Sequence, residues 1–187
     1  MPLTHKQLLI VACGIALQAF ILVVLNPLVA MAAGADLIWV AFQAWAMYFL
    51  AGCTMKGGIK ALIGYFTGIV ASVAIILLMG CLDLLSNVGG VNLAMALAVF
   101  TIVIPAIWLS ETLKNMVPAL FVGSGAFFAL TAIMWDPALT DWQNFTAITR
   151  AEMVYCAYGL LFGFITVFWR GRYEASLSKG KSKDSSE

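Results

Sequence analysis

The stretch CTMKGGIKAL, residues 53–62, joins two long apolar runs and decides how the chain folds. It carries Lys56 and Lys60 around the pair Gly57-Gly58, and glycine pairs commonly mark turns. The runs on either side, residues 36–53 and 59–80, are each about long enough to cross a hydrocarbon layer of ~30 Å as helix. The stretch therefore predicts a helical hairpin in a membrane, with its turn at a lysine-rich surface.

Four further apolar runs extend this pattern over the whole chain. They cover residues 8–28, 91–110, 116–134 and 151–169, which makes six predicted membrane spans. The composition agrees, because 63% of the residues are hydrophobic and 10% are charged, against roughly 25% charged in a soluble domain. We predict an all-α fold, a polytopic bundle of six transmembrane helices in residues 1–170. A disordered, basic and polar cytoplasmic tail is expected in residues 171–187.

The charged residues predict how this bundle is oriented. Nine of the ten Lys and Arg residues fall in alternate gaps between the spans, and the other gaps hold only Arg150 among the basic residues. Five acids share those gaps: Asp36, Asp83, Asp136, Asp141 and Glu152. By the positive-inside rule, both termini are predicted to lie in the cytoplasm. An uncleaved first helix is expected, and the alternative is a signal peptide cleaved near Ala33, which would leave five spans.

Ionisable and catalytic groups are missing from the middle of every predicted span. Glu111 and Glu152 stand at helix ends, where they are expected to reach water, and the only histidine is His5. The sequence has no GxSxG motif and no CxxC pair. We therefore expect no enzyme activity, no catalytic residue, no metal and no cofactor. The net charge of +1 gives no reason to expect a nucleic-acid partner.

Uncharged polar side chains are the remaining candidates for function. They are Gln18, Gln43, Thr67, Thr101 and Ser124. In one interpretation these groups line a path for a small neutral or weakly charged solute. In the other they form hydrogen bonds between helices, each contributing about 0.6–2 kcal/mol. Pro105 is predicted to kink the fourth helix and to free the carbonyl of Thr101.

Small residues are spaced for close contact between helices. GxxxG motifs occur at residues 64–68 and 159–163, and such faces let helix backbones approach closely in lipid. The candidate packing residues are Gly64, Gly68, Ser72, Gly123, Gly159 and Gly163. Packing within one bundle is the favoured interpretation, and contact between subunits is the alternative.

The outer segment 135–150 is rich in aromatic residues. It contains Trp135, Trp142 and Phe145, and aromatic side chains favour the level of the lipid headgroups. We predict a belt that lies on the outer surface of the membrane. The alternative is a loop that folds over the mouth of a pathway.

Several of these motifs carry a resemblance to a known family. They are Ala46-Met47-Tyr48-Phe49, Gly57-Gly58, the stretch VPALFVGSGAFFA at residues 117–129, Asp141-Trp142 and the GxxxG at residues 159–163. Over roughly residues 40–170 the chain resembles the DUF1097 family of small bacterial inner-membrane proteins of unknown function. The chain departs from the family pattern at Ala119, where glycine is usual, in added length before Asp141 and in its long tail. The resemblance implies a multi-pass protein of the bacterial inner membrane and no particular substrate.

Two hypotheses for function follow. The first is a channel or facilitator for a small neutral or weakly charged solute, acting as a homo-oligomer in the lipid bilayer. The alternative is a non-transporting membrane subunit or scaffold that docks a partner through its glycine-rich helix faces or its basic tail. The five polar candidates separate these hypotheses. Convergence on one cavity favours transport, whereas pairing between helices favours the scaffold.

Overall fold

A computed structural model describes the backbone of residues 4–184 and the side chains of residues 4–178. The α-helices are α1 (His5–Ala33), α2 (Ile38–Leu50), α3 (Met55–Cys81), α4 (Leu93–Thr112), α5 (Val117–Met134) and α6 (Asp141–Asp184). A short 3₁₀ turn, Asp83–Leu85, follows α3, and the described residues form no β-strand. The predicted all-helical bundle of six helices is confirmed.

Five of the six helices, all except α2, are long and apolar enough to cross a membrane. α2 has 13 residues, which is about 20 Å of helix. It ends early because Gly52 and Cys53 have φ angles of 84° and 58°, a conformation that turns the chain back toward α3. The second predicted span, residues 36–53, is therefore shorter in the structure. The orientation of the bundle in the membrane stays a prediction.

α6 is much longer than the span predicted at residues 151–169. It begins at Asp141, because Thr140 and Gln143 form a capping box in which the Thr140 N–H donates to Gln143 Oε1 over 2.9 Å. The predicted outer belt is therefore partly the first turns of this helix. Phe145 anchors it in the bundle, with its ring centroid 5.5 Å from that of Trp135 and 6.3 Å from that of Phe127 on α5.

The predicted disordered tail differs from the structure at residues 171–184, where α6 continues as helix. Once a long helix has formed, each added residue needs only propagation of the helix and no new nucleation. An exposed pair between Arg170 and Glu174, one turn apart, lies at the start of this extension, with 2.7 Å between Nε and Oε1. The last three residues of the predicted tail, 185–187, lie outside the described part of the chain.

Glycines lie at the contacts of α6 with α1 and α2. Gly159 lies against Ala41 and Ala44 of α2, and Gly163 lies against Tyr48 of the same helix. The residue numbers of the contacting positions increase in the same direction along the two helices, so α2 and α6 run parallel. On α1, Gly14 meets the indole of Trp169, whereas Asn26 meets Tyr155, so α1 runs antiparallel to α6.

α3 and α5 form a second close pair, also parallel. A Cβ placed on Gly64 would lie 2.8 Å from the carbonyl oxygen of Met116, and one on Gly123 would lie 2.7 Å from that of Tyr65. Gly68 sits against the backbone of Leu120 and Ser124. The backbones of α3 and α5 therefore approach each other as closely as glycine permits, and α4 packs mainly on α3.

The two ends of the bundle differ in charge. We name the end that carries Lys56, Lys114 and Arg170 the lysine end, and the end that carries Gly34, Asp83 and Trp142 the tryptophan end. The positive-inside rule predicts the lysine end in the cytoplasm.

Candidate functional site

The first polar contact inside the bundle joins α1, α2 and α6. Thr166 Oγ1 lies 2.7 Å from Gln18 Oε1 and 2.8 Å from the Phe162 carbonyl oxygen, so its one proton serves these two acceptors. The same Oγ1 accepts a hydrogen bond from the indole N–H of Trp45 over 3.0 Å. Gln18, 8% exposed, therefore bonds to a neighbouring helix and lines no open path.

A second polar contact lies nearer the tryptophan end, again between α1 and α6. Asn26, 7% exposed, donates from Nδ2 to Asp36 Oδ1 over 2.8 Å and accepts from the Tyr155 hydroxyl over 3.0 Å. Tyr158 donates to the carbonyl of Leu22 over 2.8 Å. This network is not among the predictions from the sequence. A signal exists, because Asn26 follows Gln18 by eight residues and so lies on the same face of α1.

A third polar contact joins α3 and α5 where their backbones are closest. The hydroxyl oxygens of Ser72 and Ser124 lie 2.6 Å apart, and Ser72 Oγ also lies 3.0 Å from the Gly68 carbonyl oxygen. Thr67, half-buried on the same helix, donates to the carbonyl of Ile63 one turn earlier over 2.8 Å. The Ser124 hydroxyl is therefore paired across to α3, and the Thr67 hydroxyl is paired within its own helix.

The other candidates face outward. Gln43 is exposed on α2, and Thr101 is exposed on α4, where it donates to the carbonyl of Leu97 over 2.8 Å. α4 runs on through Pro105, which is itself exposed, so the carbonyl freed near Thr101 lies toward the outside of the bundle. The five predicted polar candidates thus do not converge on one cavity. Two of them pair between helices and the others lie apart.

The expectation that Glu111 and Glu152 both reach water at helix ends is wrong for Glu152. Its side chain is fully buried in α6, and no described residue hydrogen-bonds to either carboxylate oxygen. The cause is the early start of α6 at Asp141, which places Glu152 about 16 Å along the helix from its first residue. An ionisable residue at such a depth is by default a candidate functional group.

The neighbours of Glu152 come from α3 and from the next turn of α6. Tyr65 is fully buried, its hydroxyl has no partner among the described residues, and Cys156 is buried as well. Cys156 follows Glu152 by one turn of α6, and Tyr65 belongs to the same buried core on α3, which packs against α6. We name Glu152, Tyr65 and Cys156 the Glu152 cluster. Among residues 4–178 no group of His, Cys, Asp and Glu side chains is arranged to hold a metal ion.

The grooves found on the bundle lie on its outside. A groove of about 540 Å³ runs between α1 and α2, and one of about 590 Å³ runs between α3 and α6. The first is lined by Ala12, Ile15, Ala16, Ala19, Phe42, Trp45, Ala46 and Phe49. Both are mainly apolar and open sideways, as lipid-facing surfaces are.

The length of the apolar helices, the apolar outer surface and the polar contacts enclosed between helices define a multi-pass helical membrane protein. The chain belongs to the DUF1097 family, described as a protein of unknown function, whose sequence profile matches residues 13–169. No curated protein and no solved structure matches the chain.

Proposed function

We propose that this protein is a non-transporting membrane subunit that assembles with further copies of itself, through the exposed face of α2, in the inner membrane of a bacterium. The observation that carries the proposal is the exposed amide of Gln43. The pairing of Gln18 with Thr166 and of Ser72 with Ser124 also supports it, since these groups are used between helices and not along a path.

Gln43 lies at a depth where lipid is expected. Its neighbour Ala44 packs on Gly159, near the middle of the apolar segment 151–169 of α6. A polar group left unsatisfied in hydrocarbon costs several kcal/mol. An amide exposed at this level therefore favours a covering partner.

A second copy of the chain is the partner that the amide chemistry favours. A carboxamide is both donor and acceptor, so it is complementary to itself, and a two-fold interface places the same residue on both sides. Next to Gln43 lies the groove between α1 and α2, whose α1 side consists of Ala12, Ile15, Ala16 and Ala19. Three of these four residues are alanines, whose small side chains give room for a neighbouring helix to approach.

The glycine-rich faces are not available for this contact. Gly64 and Gly68 are covered by α5, and Gly159 and Gly163 are covered by α2. The proposed docking surface is therefore the exposed arc of α2 formed by Phe42, Gln43, Ala46, Phe49 and Leu50. We name this arc the Gln43 face.

Gln43→Leu is expected to weaken self-association in lipid about fivefold. The reason is the loss of interhelical hydrogen bonds worth about 1 kcal/mol, while the apolar contact area is kept. The measurement is energy transfer between donor-labelled and acceptor-labelled copies in liposomes, over a series of protein-to-lipid ratios.

Thr101→Val is the matched control, since it also removes an exposed polar group from a helix but lies on α4, away from the Gln43 face. It should leave the association curve unchanged. A wild-type protein that stays monomeric at every ratio would refute the proposal. Equal effects of the two substitutions would refute the role of the Gln43 face.

A second candidate function is facilitated passage of a small neutral or weakly charged solute, and the buried Glu152 is the observation that favours it. Carboxyl groups inside membranes are typical of proton-linked transporters. Stopped-flow light scattering of proteoliposomes, with a panel of neutral solutes and weak acids, separates the two functions. The subunit proposal predicts equal permeation with and without protein. Permeation that requires the protein and is lost in Glu152→Gln would establish the facilitator instead.

A further inference from the structure

Glu152 is a buried carboxylic acid, and none of the described groups around it carries an opposite charge. We propose that Glu152 forms an enclosed proton-binding site inside the bundle. Its ligand is the proton, and the carboxylate that takes it up becomes a neutral carboxylic acid. No electron and no other group is transferred.

Burial is the first support for this site. The side chains of Glu152, Tyr65 and Cys156 are each 0% exposed, and the two Glu152 oxygens and the Tyr65 hydroxyl have no partner within the described chain. An unpaired charge is very costly in such a place, so a group there is held either by an opposite charge or as its neutral form. The Tyr65 hydroxyl is likewise without a partner in the described chain, so no hydrogen bond from it holds Glu152 in the charged form.

No opposite charge faces Glu152 from the helices that pack on α6. α5 has no titratable side chain, and the basic residues of α1 and α3 lie at the lysine end: His5, Lys6, Lys56 and Lys60. α2 contributes Tyr48, whose side chain packs against Gly163, eleven residues along α6 from Glu152. On α6 itself, Tyr155 and Tyr158 turn to α1, and Arg150 lies against Gly34 at the end of α1.

The Glu152 cluster does not provide the ligands that a metal cation needs. Hard cations such as Ca²⁺ take about six to eight oxygen ligands, and the Glu152 carboxylate offers two oxygens. Within residues 4–178 no cluster of His, Cys, Asp and Glu completes such a set around it. A proton needs only one oxygen, so the chemistry of the cluster fits a proton.

Labelling of the wild-type protein in liposomes tests the site without altering it. Dicyclohexylcarbodiimide is apolar and adds to a protonated carboxyl group, whose proton moves to the reagent as the acylurea forms. We expect a single adduct on Glu152, found by peptide mass spectrometry, and none at that position in Glu152→Gln. A water-soluble carbodiimide should modify the exposed Glu111 more than about tenfold faster than Glu152, because reaction from water requires the bundle to open. Equal rates at both glutamates would overturn the proposal.

Infrared difference spectroscopy gives a second, independent test. Subtracting the Glu152→Gln spectrum from that of the wild type near neutral pH should leave the carbonyl stretch of a neutral carboxylic acid. No described residue hydrogen-bonds to Glu152, so this band should lie at the frequency of a carboxyl group without a hydrogen bond. If the subtraction leaves carboxylate bands, Glu152 is ionised and the proposal fails.

Discussion

Gly68→Ala is expected to lower the free energy of unfolding by about 2–3 kcal/mol, at the upper end of the usual effect of overpacking. The added methyl group would meet the backbone of α5 and lie 2.7 Å from the amide nitrogen of Ser124. A flexible side chain could turn aside, but a helix backbone moves only as a whole. The parallel pair of α3 and α5 would therefore separate, and the hydrogen bond between Ser72 and Ser124 would lengthen.

Reversible unfolding in mixed micelles containing SDS measures this change. The thiol of Cys156 serves as the reporter, because it is buried whereas Cys13, Cys53 and Cys81 are exposed and can be replaced by serine. A thiol-reactive dye then reacts only as the bundle opens. The matched control is Gly80→Ala on the same helix, where an added methyl group meets nothing within 4 Å.

Gly80→Ala should leave stability unchanged or raise it by up to about 1 kcal/mol, since alanine favours helix over glycine. The two substitutions add the same group to the same helix, so the difference between them isolates the contact with α5. Equal stabilities of the two variants would show that α3 and α5 are not packed as described.

Gly159→Ala is expected to release α2 from α6, with a loss of about 2–3 kcal/mol. The new methyl group would lie 2.8 Å from the Ala44 Cβ and would also press on the carbonyl group of Ala41. α2 is sensitive to this change because its 13 residues are too few to cross the membrane alone. Its position depends on docking to α6 and not on its own length.

Hydrogen exchange followed by mass spectrometry resolves this local effect. Amides of residues 38–50 should exchange about 30-fold to 140-fold faster in Gly159→Ala, while those of α3 and α5 keep their protection. Gly171→Ala is the control on the same helix, because a methyl group there meets nothing within 4 Å. Faster exchange spread over all helices in Gly159→Ala would contradict a local release of α2.

The membrane class and the helix count could be read from the sequence because both depend on local quantities. Runs of apolar residues suffice to predict six helices. The turn predicted at Gly57-Gly58 is wrong in position, because these glycines lie in the first turn of α3 and the chain turns at Gly52 and Cys53. The helix ends were less predictable, because they depend on capping and on the φ angles of single residues. Thr140 starts α6 early, and Gly52 ends the α2 region early.

The candidate site was less predictable than the fold. Gln18, Gln43 and Ser124 are all uncharged polar residues in apolar helices, yet one bonds to Thr166, one faces outward and one bonds to Ser72. Residue type alone does not tell which way a side chain points. The apolar run that begins at residue 151 predicts Glu152 near water. In the structure α6 begins ten residues before that edge, so Glu152 lies inside the bundle.

The sequence by itself determined that this chain forms apolar helices, that they number six, and that its basic residues collect between alternate helices. These properties follow from composition and spacing along the chain, which need no knowledge of neighbours. Only the tertiary structure decided which small residues meet, that Glu152 is enclosed beside Tyr65, and that Gln43 is left outside. Burial and pairing depend on the rotation of each helix about its axis. That rotation is set by close packing between helices distant in sequence, such as α3 with α5 and α2 with α6.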